Sequence, residues 1–88
     1  MKIEWDKAKR QATLRERGLD FADVARLDWD RSVIRQDTRG SYGEARFLTI
    51  GPLQGRLRVI VWCERNDAMR VISLRKANAR EVKAYGTP

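Results

Sequence analysis

The spacing of apolar residues changes near Asp30, from helical before it to alternating after it. Lys2-Ile3-Glu4-Trp5 alternates and predicts a short edge strand. Asp6 is a natural N-cap for a helix from about Lys7 to Arg17, which Gly18 ends. Ala8, Ala12 and Arg15 with Leu14 give that helix a narrow, small-residue stripe, with a strongly basic outer face. Asp20 predicts the cap of a second helix near Phe21–Leu27, with Phe21, Val24, Ala25 and Leu27 on its apolar side. Four strands follow. Ser32–Thr38 is a modest one, and Glu44–Ile50 is a better one closed by a turn at Gly51-Pro52 with Gly55. Arg56–Glu64 is apolar on both faces at Val59-Ile60-Val61-Trp62 and is therefore expected to be central and covered. Asn66-Asp67 turns the chain into Met69–Arg75, and Asn78 predicts the cap of a short last helix, Ala79–Tyr85. The expected fold is α+β: a twisted antiparallel sheet with two N-terminal helices and a short C-terminal helix, in a single domain over residues 1–88.

A chain of 88 residues supports one small core, burying about 60–65% of the surface its unfolded form exposes. Its 42% hydrophobic and 35% charged content is that of a folded globular protein rather than a disordered one. No apolar run approaches the ~20 residues of a membrane span, and Met1-Lys2-Ile3-Glu4 does not open like a signal peptide, so no membrane partner and a cytoplasmic location are expected. The single cysteine, Cys63, sits in an apolar strand and reads as a small buried hydrophobe. There is no histidine, which excludes imidazole-based zinc sites, Ser-His and Cys-His pairs and histidine acid–base catalysis. Neither a metal site nor a cofactor is expected, and chemistry is left to Arg, Lys, Glu, Asp or Tyr.

The net charge of +7 is unevenly placed: residues 1–37 carry nine Lys/Arg against eight Asp/Glu, and residues 38–88 carry ten against four. Arginine, whose planar fork holds phosphate oxygens in pairs, supplies 14 of the 19 cations. Such asymmetry points to a polyanion or an acidic protein as partner, or to a solvated basic face. The densest signal is Met69-Arg70-Val71-Ile72-Ser73-Leu74-Arg75-Lys76-Ala77, an apolar strand interrupted by cations. Tyr42-Gly43-Glu44-Ala45-Arg46-Phe47 opens another strand, with Glu44 and Arg46 two residues apart and so on one face. A small sheet with several cations on one side is suited to a phosphodiester. Each residue also has a plainer reading. Glu44 and Arg46 also read as an ion pair with each other, Arg70 as a cation paired with Glu44 or Glu64, and Tyr85 as packing on the sheet. Trp5, Trp29 and Trp62 read as core or partner contacts, and Lys7-Lys9-Arg10-Arg15-Arg17 as the wet face of a helix.

In order and spacing the chain resembles the BrnT family, the toxin half of bacterial type II toxin–antitoxin pairs, grouped with RelE/ParE-like toxins. The anchors are Trp5-Asp6 with Lys9, Gly18 and Phe21, Gly43-Glu44 with Arg46, Gly51, Arg70-Val71-Ile72-Ser73 with Arg75-Lys76-Ala77, then Glu81 and Tyr85. It departs from the family at Glu16-Arg17-Gly18, where Lys-His-Gly is usual, and at Thr13, where Asn is frequent. Arg17 keeps a cation there but exchanges no proton near neutral pH. The resemblance implies a RelE-like fold and a metal-independent endoribonuclease that inhibits translation and growth. It also implies a BrnA-like antitoxin as partner, RNA as substrate, and operator DNA bound only through the antitoxin complex. The alternative is a degenerate toxin, a non-catalytic basic module that binds RNA or an acidic antitoxin.

The chemistry itself asks for attack of an RNA 2′-hydroxyl on the adjacent phosphorus, giving a 2′,3′-cyclic phosphate and a 5′-hydroxyl. The enzyme must orient that attack, stabilise charge on the phosphorane oxygens and manage two protons. Arg46, Arg70 and Arg75 suit the charge. Lys76 suits either the charge or protonation of the leaving oxygen, and Glu44 or Tyr85 the base. Lys9, Arg17 and Arg58 are candidate contacts to the RNA backbone.

Overall fold

A computed structural model describes residues 2–40 and 43–86 of the chain. Its elements are β1 (Lys2–Trp5), α1 (Lys7–Arg17), β2 (Val33–Asp37), β3 (Arg46–Leu53), β4 (Arg56–Arg65), β5 (Ala68–Lys76) and α2 (Ala79–Tyr85). Two 3-10 turns, Phe21–Arg26 and Trp29–Arg31, join α1 to β2. The five strands form one sheet in the order β1-β5-β4-β3-β2. Tyr42, read as part of the opening of β3, lies outside the described residues.

The α+β class holds, with three corrections. The sheet is mixed rather than antiparallel, because β1 runs parallel to β5 with Ile3 opposite Met69 and Trp5 opposite Val71. The second N-terminal helix is a 3-10 segment. Asp20 caps it as expected, accepting from the Ala22 amide at 3.0 Å, but Leu27 is already extended and Ala25 is exposed. Finally, Gly51-Pro52 is not a turn. β3 runs through both residues, and the chain reverses at Gln54-Gly55, where φ is 52° and 82°. Positive φ at both central residues matches the type I′ hairpin, whose twist suits flanking strands. Asn66-Asp67 makes the equivalent reversal between β4 and β5. Pro52 is tolerated because β2 pairs no further than Ile50, and its carbonyl accepts from the Asp28 amide at 3.0 Å.

The core lies between the sheet and the segment from α1 to the 3-10 turns. Phe21, Val24 and Leu27 meet Leu53, Ile60, Met69, Val71 and Leu74 there, with Trp5 and Trp62 partly buried at its margin. Trp62 leans on Phe47 with ring centroids 4.9 Å apart, and its Nε1 donates to Thr49 Oγ1 at 2.8 Å, which satisfies a fully buried hydroxyl. Arg10 clamps α1 to the first 3-10 turn through a two-pronged pair with Asp20 at 2.7 and 3.0 Å, and its guanidinium lies over the Trp5 ring. Trp5 and Trp62 thus serve packing, while Trp29 stays exposed and meets Trp62 at a right angle, ring centroids 6.3 Å apart.

Gly51 has a steric reason to be glycine. A Cβ there would stand 1.9 Å from Ser32 Oγ and 3.2 Å from Ser32 Cα. Gly51→Ala is expected to cost about 1–3 kcal/mol, read as a lower urea midpoint at unchanged slope. A midpoint equal to wild type would show that the Ser32 segment yields freely.

Candidate functional site

Paired residues of neighbouring strands share a face, so the register sorts every candidate. One face carries the core. The other carries a row that crosses all five strands: Asp37, Arg46, Cys63, Arg70 and Glu4, each the partner of the next. Two arginines flank a fully buried cysteine, and an acid closes each end. Arg70 lies 3.5 Å from Glu4, rather than pairing with Glu44 or Glu64.

Arg75 reaches the same face only through an irregularity. Arg70 and Arg75 are five residues apart on one strand, and strict alternation would send them to opposite sides. Between them Val61 pairs with Ser73 while Trp62 pairs with Val71, leaving Ile72 as an extra residue. That β-bulge turns the strand by one position. Val71 and Leu74 therefore both enter the core, and Arg75 joins Val59, Ile50 and Val33 in a row on the face of Arg46 and Arg70.

α2 stands over this end of the sheet. Asn78 and Glu81 form a reciprocal capping box, and the same Glu81 carboxylate takes both prongs of Arg75 at 2.7 and 2.9 Å. The Tyr85 hydroxyl donates to the Arg31 carbonyl, tying the far end of α2 to the second 3-10 turn. The Tyr85 hydroxyl is thus taken up by a carbonyl of that turn rather than left open. Between α2 and the β2–β3 end lies a groove of about 360 Å³, with Arg35, Arg39, Arg75, Glu81 and Tyr85 among its walls.

The Arg75 guanidinium lowers the Glu81 carboxyl from 4.5 to about 2. A carboxyl depressed in the fold stabilises it above the ordinary carboxylate range, and the contribution is lost as pH falls toward the folded value. Glu81→Gln is accordingly expected to lower the urea midpoint near neutral pH, with the gap to wild type closing between 4.5 and about 2. A gap independent of pH would deny the pair its part in holding α2.

Glu44 follows neither expectation exactly as drawn: it pairs with Arg65, whose Nη2 lies 3.1 Å from both carboxylate oxygens. That hydrogen bond, with a smaller contribution from the charge of Arg46, holds the Glu44 carboxyl below its usual range and weakens it as a base. Burial pushes the Cys63 thiol up, so it stays protonated between the arginines.

The remaining candidates lie elsewhere. Lys76 and Arg58 are partners on the core face, away from Arg46 and Arg70. Arg17, at the end of α1, donates from Nη1 to the Leu74 carbonyl at 3.0 Å, and with Glu16, Leu19, Arg75 and Lys76 it lines a separate hollow of about 380 Å³. Arg75 is the residue common to both patches. Lys9 is exposed near the start of α1, about two turns from Arg17. Three arginines of the open face, Arg35, Arg39 and Arg65, were missed by sequence reasoning. Alternation with Asp37 marks the side of Arg35 once the face of β2 is known, whereas no local signal marks Arg39 or Arg65.

The family profile described as the ribonuclease toxin, BrnT, of type II toxin–antitoxin systems matches residues 5–81. The chain belongs to the BrnT family. No curated protein matches it in sequence. The match spans every element from the end of β1 into α2, so the Arg75–Glu81 pair and all of the charged row except Glu4 lie within the BrnT region. As a BrnT toxin of a type II system, the chain has ribonuclease activity as its family function and an antitoxin as the implied partner. No helix among the described residues is long and apolar enough to cross a membrane.

Proposed function

We propose that this chain is a metal-independent endoribonuclease that cleaves RNA on the open face of its sheet, with Arg46, Arg70 and Arg75 around the scissile phosphate. The observation that carries the reading is the bulge at Ile72, which brings the third arginine to the side of the other two. A phosphorane gathers negative charge on its equatorial oxygens, and guanidinium groups already in place meet it without reorganisation. The acids of this face, Asp37, Glu4, Glu44 and Glu81, are each engaged by an arginine, and in the free protein they hold the cations in position. A weak Glu44 base leaves orientation and charge stabilisation to supply most of the acceleration. Lys76, turned to the opposite side of the strand from Arg75, is assigned to the RNA backbone rather than to the leaving oxygen. Arg17 and Arg58 extend the basic surface beyond it for the RNA backbone, with Lys9 at a distance.

In the cell this activity inhibits translation and growth from the cytoplasm, and a BrnA-like antitoxin neutralises it. Operator DNA is met only through that complex. The engagement of each acid by an arginine favours a second reading, a basic module that grips RNA or an acidic antitoxin without cutting.

Incubation of the purified chain with single-stranded RNA in excess EDTA separates the two. Fragments ending in 2′,3′-cyclic phosphate and beginning with a 5′-hydroxyl are expected. RNA that is bound with steep salt dependence and stays whole would establish the second reading instead.

A further inference from the structure

The groove between β2 and α2 holds a cation that the reading above leaves unused. Arg75 is engaged by Glu81, and Arg39 donates to Asp37 at 2.8 and 2.9 Å. Arg35 differs: its guanidinium makes no ion pair or hydrogen bond among the described residues. It is exposed and stands in the groove wall on the open face, opposite Leu48.

Its position relative to Arg46 is set by the register. Asp37 faces Arg46 and Arg35 faces Leu48, so Arg35 and Arg46 are diagonal neighbours on adjacent strands. Diagonal neighbours sit about 7–8 Å apart at Cα, close to the step between successive phosphates of an extended single strand. Beside Arg35, on the side away from Arg46, lies an apolar floor. Val33, Leu48 and Ile50 line the groove with Tyr85, and Val33 remains 43% exposed there. The groove volume of about 360 Å³ falls at the lower end of ligand sites, about 300–1,000 Å³, and is sufficient for one nucleotide.

We propose that this groove is the subsite for the nucleotide next to the scissile phosphate, with Arg35 holding the outer phosphate and the Val33–Ile50–Tyr85 floor receiving the base. The proposal rests on the RNA-cleaving face described above and names how a substrate lies along it. Arg35 is then a positioning residue: it sets the register of the strand and touches no reacting atom.

Fluorescence anisotropy with 5′-fluorescein-labelled hexauridylate, in EDTA over a range of salt concentrations, tests it. The variants are Arg35→Ala, Arg35→Lys, Arg46→Ala and Arg56→Ala, the last removing an exposed cation from the far end of β4. Arg35→Ala is expected to bind about tenfold more weakly, the loss of one charge-assisted hydrogen bond. Its salt slope should fall by about one, the mark of a single phosphate contact. Arg35→Lys should recover part of the affinity, and Arg56→Ala should bind as wild type does. An equal loss on labelled hexathymidylate supports a contact to the backbone phosphate shared by both polymers. If Arg35→Ala and Arg56→Ala behave alike, the subsite is wrong. If Arg46→Ala weakens binding while Arg35→Ala does not, the groove fails and the catalytic face stands. If neither variant changes binding, both fail, and the basic face belongs to a protein partner.

Discussion

Arg46→Ala is expected to fold like wild type and to cleave RNA about 10²–10³-fold more slowly, the effect of removing one preorganised donor from a developing oxyanion. Arg46 is half-buried in the middle of the charged row, between the Asp37 and Cys63 positions. Its stem lies on a sheet held from the other side by the core, so truncation removes the charge without opening the interior. Single-turnover cleavage in EDTA, with circular dichroism and thermal unfolding as controls, checks both halves of the expectation. Cleavage at the wild-type rate by a folded Arg46→Ala chain would remove the residue from the site. Arg75→Ala is a less clean probe, because the same substitution releases Glu81 and with it the near end of α2. Loss of both activity and stability is expected there, and only the excess of the activity loss over Glu81→Gln reports on phosphate.

Phe21→Ala should have the largest effect on stability, about 3–5 kcal/mol. Phe21 is fully buried and opens the 3-10 segment that covers β4 and β5, where it meets Ile60, Val71 and Leu74. The preceding residue, Asp20, is both the cap of that segment and the partner of Arg10, so a collapse at Phe21 also loosens α1. Against a total of about 5–15 kcal/mol for an ordinary domain, and a thinner margin in one this small, the variant should populate the unfolded state at 37 °C. Urea titration followed by tryptophan fluorescence reads it. A midpoint shift corresponding to less than about 1 kcal/mol would mean the core closes over the gap.

Much of the fold was legible because it is local. Asp6 with Gly18 and Asn78 with Glu81 delimit helices through short-range caps, and both helices run as those residues imply. Apolar runs bounded by turn residues set the extents of β4 and β5 to within one residue at each end. The features that were not legible depend on distant partners. Nothing in Lys2-Ile3-Glu4-Trp5 says that its neighbour is β5 or that the pairing is parallel. Gly51-Pro52 carries a turn signal, yet Gly51 is small because Ser32 crosses it, and Pro52 is free to remain extended where β2 has ended. The Phe21 segment has helical spacing over too few residues to show that its hydrogen bonds are 3-10 ones. For the candidate site, the arginines were visible as interruptions of apolar strands, but their common face was not. Counting by twos sets Arg70 and Arg75 on opposite sides, and only the register against β4 exposes the extra residue at Ile72. Lys76 was grouped with Arg75 by adjacency in the chain, which in an extended strand is what separates two side chains.

The parallel pairing of β1 with β5 bears on how such a protein is made. During synthesis the opening strand waits, unpartnered, until Ala68–Val71 has left the ribosome, because those residues alone complete its ladder. Glu4 meets Arg70 no earlier than that. A nascent polypeptide therefore lacks the finished row of charges until Arg70 has emerged and its strand has paired on both sides.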